Sequence, residues 1–344
     1  MWSAGNRMVK YMRKIINPFS LLLFVLLFSC KKEGQECVLD NEVLGIQIDF
    51  ELERLEDQFF EARTKEDFSY LLDAHPLFAQ NYLQMGTYSE RDDLIEELLW
   101  ANKDTLLIDL YQEVRTYFAD ISELELELRT AFKHIKYHYP EFKVPKVYTV
   151  VTGFGSDIYL DKDILVIGLD YYLPFEHRFQ PPDLPLYITK RYQREYLVPM
   201  VVKAISTQFN RTDMSQNTLL AEMIYYGKSY HFTKSILPCT PDEYIIGYTA
   251  DEVAACFANE VMIWSHFVEN DLLFTTNPFE IRKYVGEAPY TDAISPDAPG
   301  RIGRWLGWNI VDDYRFNNKF SLQEMMLESD TEKIFRQSGY KPRP

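Results

Sequence analysis

The chain lacks an apolar run long enough to cross a bilayer as a helix. Its most apolar stretch, "FSLLLFVLLF" at residues 19–28, has ten residues where a spanning helix needs about 20. Cysteine is also scarce, with four in 344 residues and no CxxC spacing. Without a Cys/His cluster, a structural zinc site of the usual kind is excluded. Positive charge is in deficit: 36 Lys and Arg stand against 52 Asp and Glu, a formal charge of −16. Nucleic-acid binding rests on basic side chains neutralising phosphates, so that partner class is excluded. Lying flat on anionic lipid is excluded on the same ground. The acidic surface reads as a solubility device or as a face for a basic partner. Internal repeats and low-complexity tracts are absent.

What is present begins with an address. Arg7, Lys10, Arg13 and Lys14, with no acid among them, precede the short apolar stretch. A basic start followed by a short apolar segment is the pattern of a secretory signal. "LFSC" follows at residues 27–30. A small residue directly before cysteine marks a lipoprotein signal, in which Cys30 is diacylated and becomes the new N-terminus. Residues 1–29 are then a signal peptide and residues 30–48 a polar, lipid-anchored tether. Two or three acyl chains anchor stably where one does not. The folded part is expected at the cell envelope, held on a membrane and facing the periplasm, with inner and outer membrane both open.

Residues 49–140 carry helical spacing. "FELERLEDQFFEA" sets Phe50, Leu52, Leu55, Phe59 and Phe60 near one face. The period then changes. Residues 144–154, 157–161 and 164–173 are β-branched and aromatic, and the last two read as a hairpin across "DKD". Helices resume near residue 185. The expected fold class is therefore α+β, predominantly helical, with a small antiparallel sheet in a C-terminal part spanning residues 141–344. Thr240 with Glu243, Thr249 with Glu252 and Ser321 with Glu324 have the spacing of capping boxes. The helix from Thr249 puts Val253, Phe257, Val261, Trp264 and Val268 on one stripe, read as a core face. Besides Cys30 there are Cys37, Cys239 and Cys256. A Cys239–Cys256 disulfide and buried free thiols are both open.

The stretch "KRYQREYLVP" at residues 190–199 lies where a zinc peptidase would carry His-Glu-x-x-His. That motif works because positions four apart share a helix face, so two imidazoles grip one zinc while the Glu polarises its water. Here Arg194 and Val198 occupy the histidine positions. Arg194 stays protonated and repels a cation, and Val198 has no donor atom. Glu195 is then an acid without a metal, read as paired with Arg191 or Arg194 or as part of a solvated face. Pro199 removes a helical hydrogen bond and presses on the Glu195 carbonyl. His134 and His138 are also four apart, yet Ile135 stands where the catalytic Glu would follow. His177, His231 and His266 are isolated and read as satisfied polar residues. Gly303 and Gly307, four apart, suit close helix packing. Residues 285–300 form the longest irregular stretch, with Asp292 and Asp297 as candidates for a partner surface.

Four segments together resemble one family. "RYQREYLVP", "LLAEMIYYGKSYHFTKSILP" at 219–238, "GYTADEVAACFANEVMIWSHFVENDLLF" at 247–274 and "APGRIGRWLGWNIVDDY" at 298–314, in this order behind a lipoprotein signal, are similar to the GldB gliding-motility lipoproteins of the Bacteroidetes. The resemblance implies a role in surface gliding and the linked protein-secretion machinery. It also implies a distant similarity to zincin-type peptidases, whose third ligand would fall at Tyr226, with Glu222 one turn earlier as a fallback carboxylate. On that alignment Arg194, Val198 and Tyr226 replace His, His and Glu, so no metal and no cofactor is expected. Three functional readings stand: a non-catalytic scaffold or adaptor for other gliding and secretion proteins, a metallopeptidase-like hydrolase using Glu195, Glu222 and a histidine, and a periplasmic module binding a peptide or glycan.

Overall fold

Four short strands organise the molecule. The computed structural model describes residues 40–343; the segment read as a signal, Cys30 and Cys37 lie outside them. Strands β1 (Leu52–Arg54), β2 (Lys146–Val150), β3 (Ile158–Leu160) and β4 (Ile164–Gly168) form one sheet in the order β1-β2-β4-β3. The hairpin across "DKD" is as expected, with Leu160 opposite Leu165. The sheet as a whole is mixed rather than antiparallel, because β2 runs parallel to both β1 and β4. Leu52 to Arg54, read as part of a helical stripe, is instead the strand that enters this sheet.

Successive strand side chains point to opposite faces, and both faces are covered. Val147, Leu165 and Ile167 join the main core. Tyr148, Val150, Ile164 and Val166 pack on the other side with Leu55 and Phe78. Helices Leu55–Glu61, Lys65–Ala74, Arg91–Ala101, Thr105–Tyr117 and Ser122–His138 fill the connection from β1 to β2. Two-face burial of near-continuous apolar strands is the ordinary condition for parallel pairing.

The centre of the remainder is a pair of long helices, Leu219–Ile236 and Ile302–Asn318. Most residues of the first are buried all round. Gly227 and Gly307 set how closely the pair approaches. A Cβ on Gly227 would sit 2.3 Å from the Gly307 carbonyl oxygen, and one on Gly307 would sit 2.0 Å from that of Met223. The packing role read for Gly307 is therefore realised backbone against backbone.

Helix starts follow the sequence at two of the three capping boxes. Thr249 with Glu252 and Ser321 with Glu324 close reciprocally. Thr240 does not cap: Pro241 stands at the N-cap of Asp242–Ile246, and the Thr240 carbonyl accepts from Lys234 instead. The helix from Thr249 breaks at Asn259 into Ala250–Ala258 and Glu260–Glu269. Its buried stripe is Cys256, Glu260, Ile263 and Phe267. The stripe expected to be core is divided: Val253 and Trp264 pack against the core, while Phe257, Val261 and Val268 are turned outward, 38%, 47% and 48% exposed. Cys256 is a free buried thiol, so the Cys239–Cys256 bridge is not formed.

Glu260 is 1% exposed, and its Oε1 accepts from the Tyr340 hydroxyl at 2.6 Å. Its Oε2 makes no hydrogen bond. Removing that donor leaves a buried carboxylate unsatisfied. Tyr340→Phe is expected to lower stability by about 1 to 3 kcal/mol in denaturant unfolding. An unchanged midpoint would contradict this role for the C-terminal segment.

Candidate functional site

Helix Arg194–Ser206 begins after Gln193 and keeps Pro199 inside it. Its first turn does not gather a ligand set. Arg194 reaches away to Glu127, at 2.9 Å. Glu195 is exposed and makes no ion pair among the described residues, the solvated-face reading rather than the Arg191 or Arg194 pair. Val198 is in the core, 3% exposed. Tyr226, on helix Leu219–Ile236, lies under Arg304, whose guanidinium carbon is 3.9 Å from the ring centroid. Glu222 is half-buried, and burial raises its pKa against the pull of Arg304. No group of three His, Cys, Asp or Glu among the described residues could hold a metal ion.

The other histidines have local explanations. His134 is buried at the inner face of Ser122–His138, and its Nε2 has no hydrogen-bond partner. Burial, then Arg315 and His134, push the His138 pKa down to about 4. His177 meets Glu113, His231 lies between Asp312 and Arg315, and His266 meets the Tyr284 hydroxyl. Each is the satisfied polar residue that the sequence suggested.

The conspicuous chemistry lies one helix face away, and sequence reasoning missed it. Glu287, in the irregular 285–300 stretch, meets three guanidiniums: Arg191 at 2.9 Å, Arg304 at 3.1 Å and Arg301 at 3.6 Å. Burial would raise the Glu287 pKa, but Arg301, Arg191 and Arg304 bring it below the ordinary value. Arg301 also donates to the carbonyls of Ile246 and Gly247. Arg304 donates to Val285 at 2.6 Å. Lys203 joins them, with its ammonium 5.9 Å from the Tyr230 ring centroid. The Tyr230 hydroxyl is buried and makes no hydrogen bond of ordinary geometry. Burial would raise its pKa, yet Arg301, Arg304 and Lys203 beside it draw it below the usual tyrosine value.

Glu287 thus ties the loop to the start of helix Ile302–Asn318 and to the turn before helix Arg194–Ser206, and shields cations from one another. Its side chain is 40% exposed, which weakens the Coulomb contribution through solvent screening. Glu287→Gln keeps the shape and removes the charge. The expected loss is about 2 kcal/mol, less than the full penalty for breaking a buried pair. It should be read as a lower urea midpoint, and an unchanged midpoint would contradict the hub role.

The loop is itself well held. Thr291 donates through its amide to Ala298 and through its hydroxyl to Pro299, both at 2.8 Å. This leaves Asp292 and Asp297 exposed on the outer turn. Asp297 lines a cavity of about 260 Å³ with Cys256, Met262, Ile263 and Ile294. Met262, 49% exposed on helix Glu260–Glu269, is the exposed apolar side chain that this cavity shares with the loop, a juxtaposition that the separate sequence motifs did not reveal.

No helix among the described residues is long and apolar enough to cross a membrane. No curated protein and no solved structure matches the chain. A family model does: that of the gliding motility protein GldB, over residues 36–342. That match runs through the mixed sheet, the paired long helices, the arginine cluster and the outward stripe, and the chain therefore belongs to the GldB gliding-motility family.

Proposed function

We propose that this chain is a lipid-anchored, non-catalytic scaffold or adaptor of the gliding-motility and linked secretion machinery. Cys30 holds it to a membrane of the cell envelope, and the folded part faces the periplasm. One observation carries the reading: apolar side chains of two consecutive helices, Phe257, Val261, Met262 and Val268, are turned to solvent, and Met262 shares a cavity with Asp297 of the ordered acidic loop. Contiguous exposed apolar surface with a polar rim is the usual form of a protein-contact site. The rim here is acidic, with Asp251, Glu269, Asp271 and Asp297 exposed. The partner it fits is another envelope protein presenting an apolar face bordered by basic side chains.

The chemistry of residues 194, 198 and 226 supports the non-catalytic half of this reading. A guanidinium, an isopropyl group and a phenol under an arginine are poor replacements for three zinc ligands. On this view the Arg194–Ser206 helix is a zincin-like element that no longer serves hydrolysis. The displaced-ligand alternative draws on Glu195 and Glu222, whose surroundings differ. Glu195 lies near Tyr117, and Glu222 lies near Arg304.

Joint charge reversal of Asp292 and Asp297 tests the partner surface. Both side chains are exposed, so the unfolding midpoint should stay within about 0.5 kcal/mol of wild type. Gliding of complemented cells should fall. Undiminished gliding would count against the loop as part of the contact.

A further inference from the structure

The arginine cluster carries an inference that goes beyond the adaptor reading and does not rest on it. Arg191, Lys203, Arg301 and Arg304 lie close enough for their charges to act on one another or on Tyr230. Against these four cations stand Glu287, in direct contact, and Glu222, which acts on Arg304 only at a distance and is itself disfavoured as a charged group by burial. A local excess of buried positive charge in a chain of net charge −16 is costly unless something neutralises it.

Arg301 is 3% exposed; its Nε stands 3.6 Å from Glu287, and its terminal nitrogens donate to the carbonyls of Ile246 and Gly247. Arg191 spends one nitrogen on Glu287. The Lys203 ammonium makes no hydrogen bond or ion pair among the described residues, and the Tyr230 hydroxyl, in a residue 1% exposed, makes no hydrogen bond of ordinary geometry though Arg304 stands beside it. Arg191, Arg301 and Lys190 line a cleft of about 170 Å³, walled also by Tyr187, Tyr196 and Tyr248; the carboxylate in its lining, Glu252, is held by the Thr249 amide in its capping box. A water occupies about 30 Å³ of liquid, so the cleft has room for a tetrahedral anion or a carboxylate on a short stem.

We propose that this cleft binds a single oxyanion group, phosphate or carboxylate, gripped by the Arg191 nitrogens that Glu287 leaves free and drawn by the charges of Arg301, Lys203 and Arg304. Planar guanidinium forks suit either group, since both present two acceptor oxygens at matching separation. The aromatic walls would accept the organic part of such a ligand.

Thermal unfolding of the full chain in detergent tests this at fixed ionic strength, with inorganic phosphate or acetate exchanged for chloride. The expected result is a saturable rise in the midpoint with at least one of the two ions, and the ion that acts identifies the source chemistry. Arg191→Gln and Lys203→Met should each weaken the apparent affinity, about ten-fold for the lost charge-assisted contact in the arginine variant. Lys203→Met makes no structural bond in the cluster and serves as the measurement if Arg191→Gln folds poorly. No saturable rise with either ion would overturn the proposal. So would an equal rise in wild type and both variants, which would mark a general salt effect.

Discussion

Gly307→Val is expected to prevent stable folding. A Cβ at this position would stand 2.0 Å from the Met223 carbonyl oxygen and 2.4 Å from its carbon. Real Cβ contacts do not come that close, and the obstacle is backbone, so no rotamer change relieves it. The two long helices must separate, and Gly227 opposite makes the same demand on Gly307. Separation also loosens Trp305, Leu306 and Ile310, all buried on the second helix. Overpacking of side chain on side chain costs about 1 to 3 kcal/mol. Backbone against backbone should exceed that, at about 4 kcal/mol or more, a large part of a typical 5 to 15 kcal/mol. Gly307→Ala should act in the same direction more mildly. Soluble expression and urea unfolding read both variants, and a wild-type midpoint for Gly307→Val would refute the close crossing.

The second large effect is a pH dependence centred on Lys228. Its side chain is fully buried, and its ammonium donates to the carbonyls of Met326 at 2.9 Å and Glu328 at 2.8 Å. These carbonyls lie at the end of helix Leu322–Leu327, where a cation is favoured. Burial nevertheless dominates, and with Arg211 against Glu328 it lowers the Lys228 pKa from 10.5 to about 7. The folded state then holds fewer protons than the unfolded state between these values, so stability rises with pH across that window. Below about pH 7 the charged form carries the full penalty; above it the penalty is progressively relieved until the unfolded chain also loses its proton. A shift from 10.5 to about 7 corresponds to roughly 3 to 5 kcal/mol across the window. Lys228→Met removes the titrating group. The stability of wild type minus that of the variant should therefore increase from pH 7 to pH 10 in urea titrations. A flat difference would contradict it.

The contrast between the expected and observed elements has physical causes. The β3/β4 hairpin could be read because two apolar runs rich in β-branched and aromatic residues flank a short polar turn. The boxes at Thr249 and Ser321 could be read because capping is local chemistry. Strand β1 could not, since three residues inside an amphipathic run do not distinguish a period of 2 from one of 3.6. The outward stripe was misread for a related reason. The sequence from residue 250 to 269 is apolar on more than one face, and periodicity cannot say which face meets the core. Only the break at Asn259 and the packing of Cys256, Ile263 and Phe267 decide it.

The site was readable in part. That residues 194, 198 and 226 are poor ligands follows from their side chains alone. That Arg194 pairs with Glu127 does not, because the two are 67 positions apart. The Glu287 cluster draws on positions 191, 203, 301 and 304, and only the last two are near in sequence. Long-range electrostatics of this kind leaves no periodic signature.

The account centres on one claim: the protein acts through a contact surface and not through the carboxylate at position 195. Gliding of cells that lack the protein and are complemented with single variants tests it most directly. Glu195→Gln should restore gliding fully, and Val261→Asp, at an exposed position that leaves the fold intact, should not. A Glu195→Gln strain that fails to glide, beside a Val261→Asp strain that glides normally, would contradict the adaptor and return the helix at residue 195 to the centre of the chemistry.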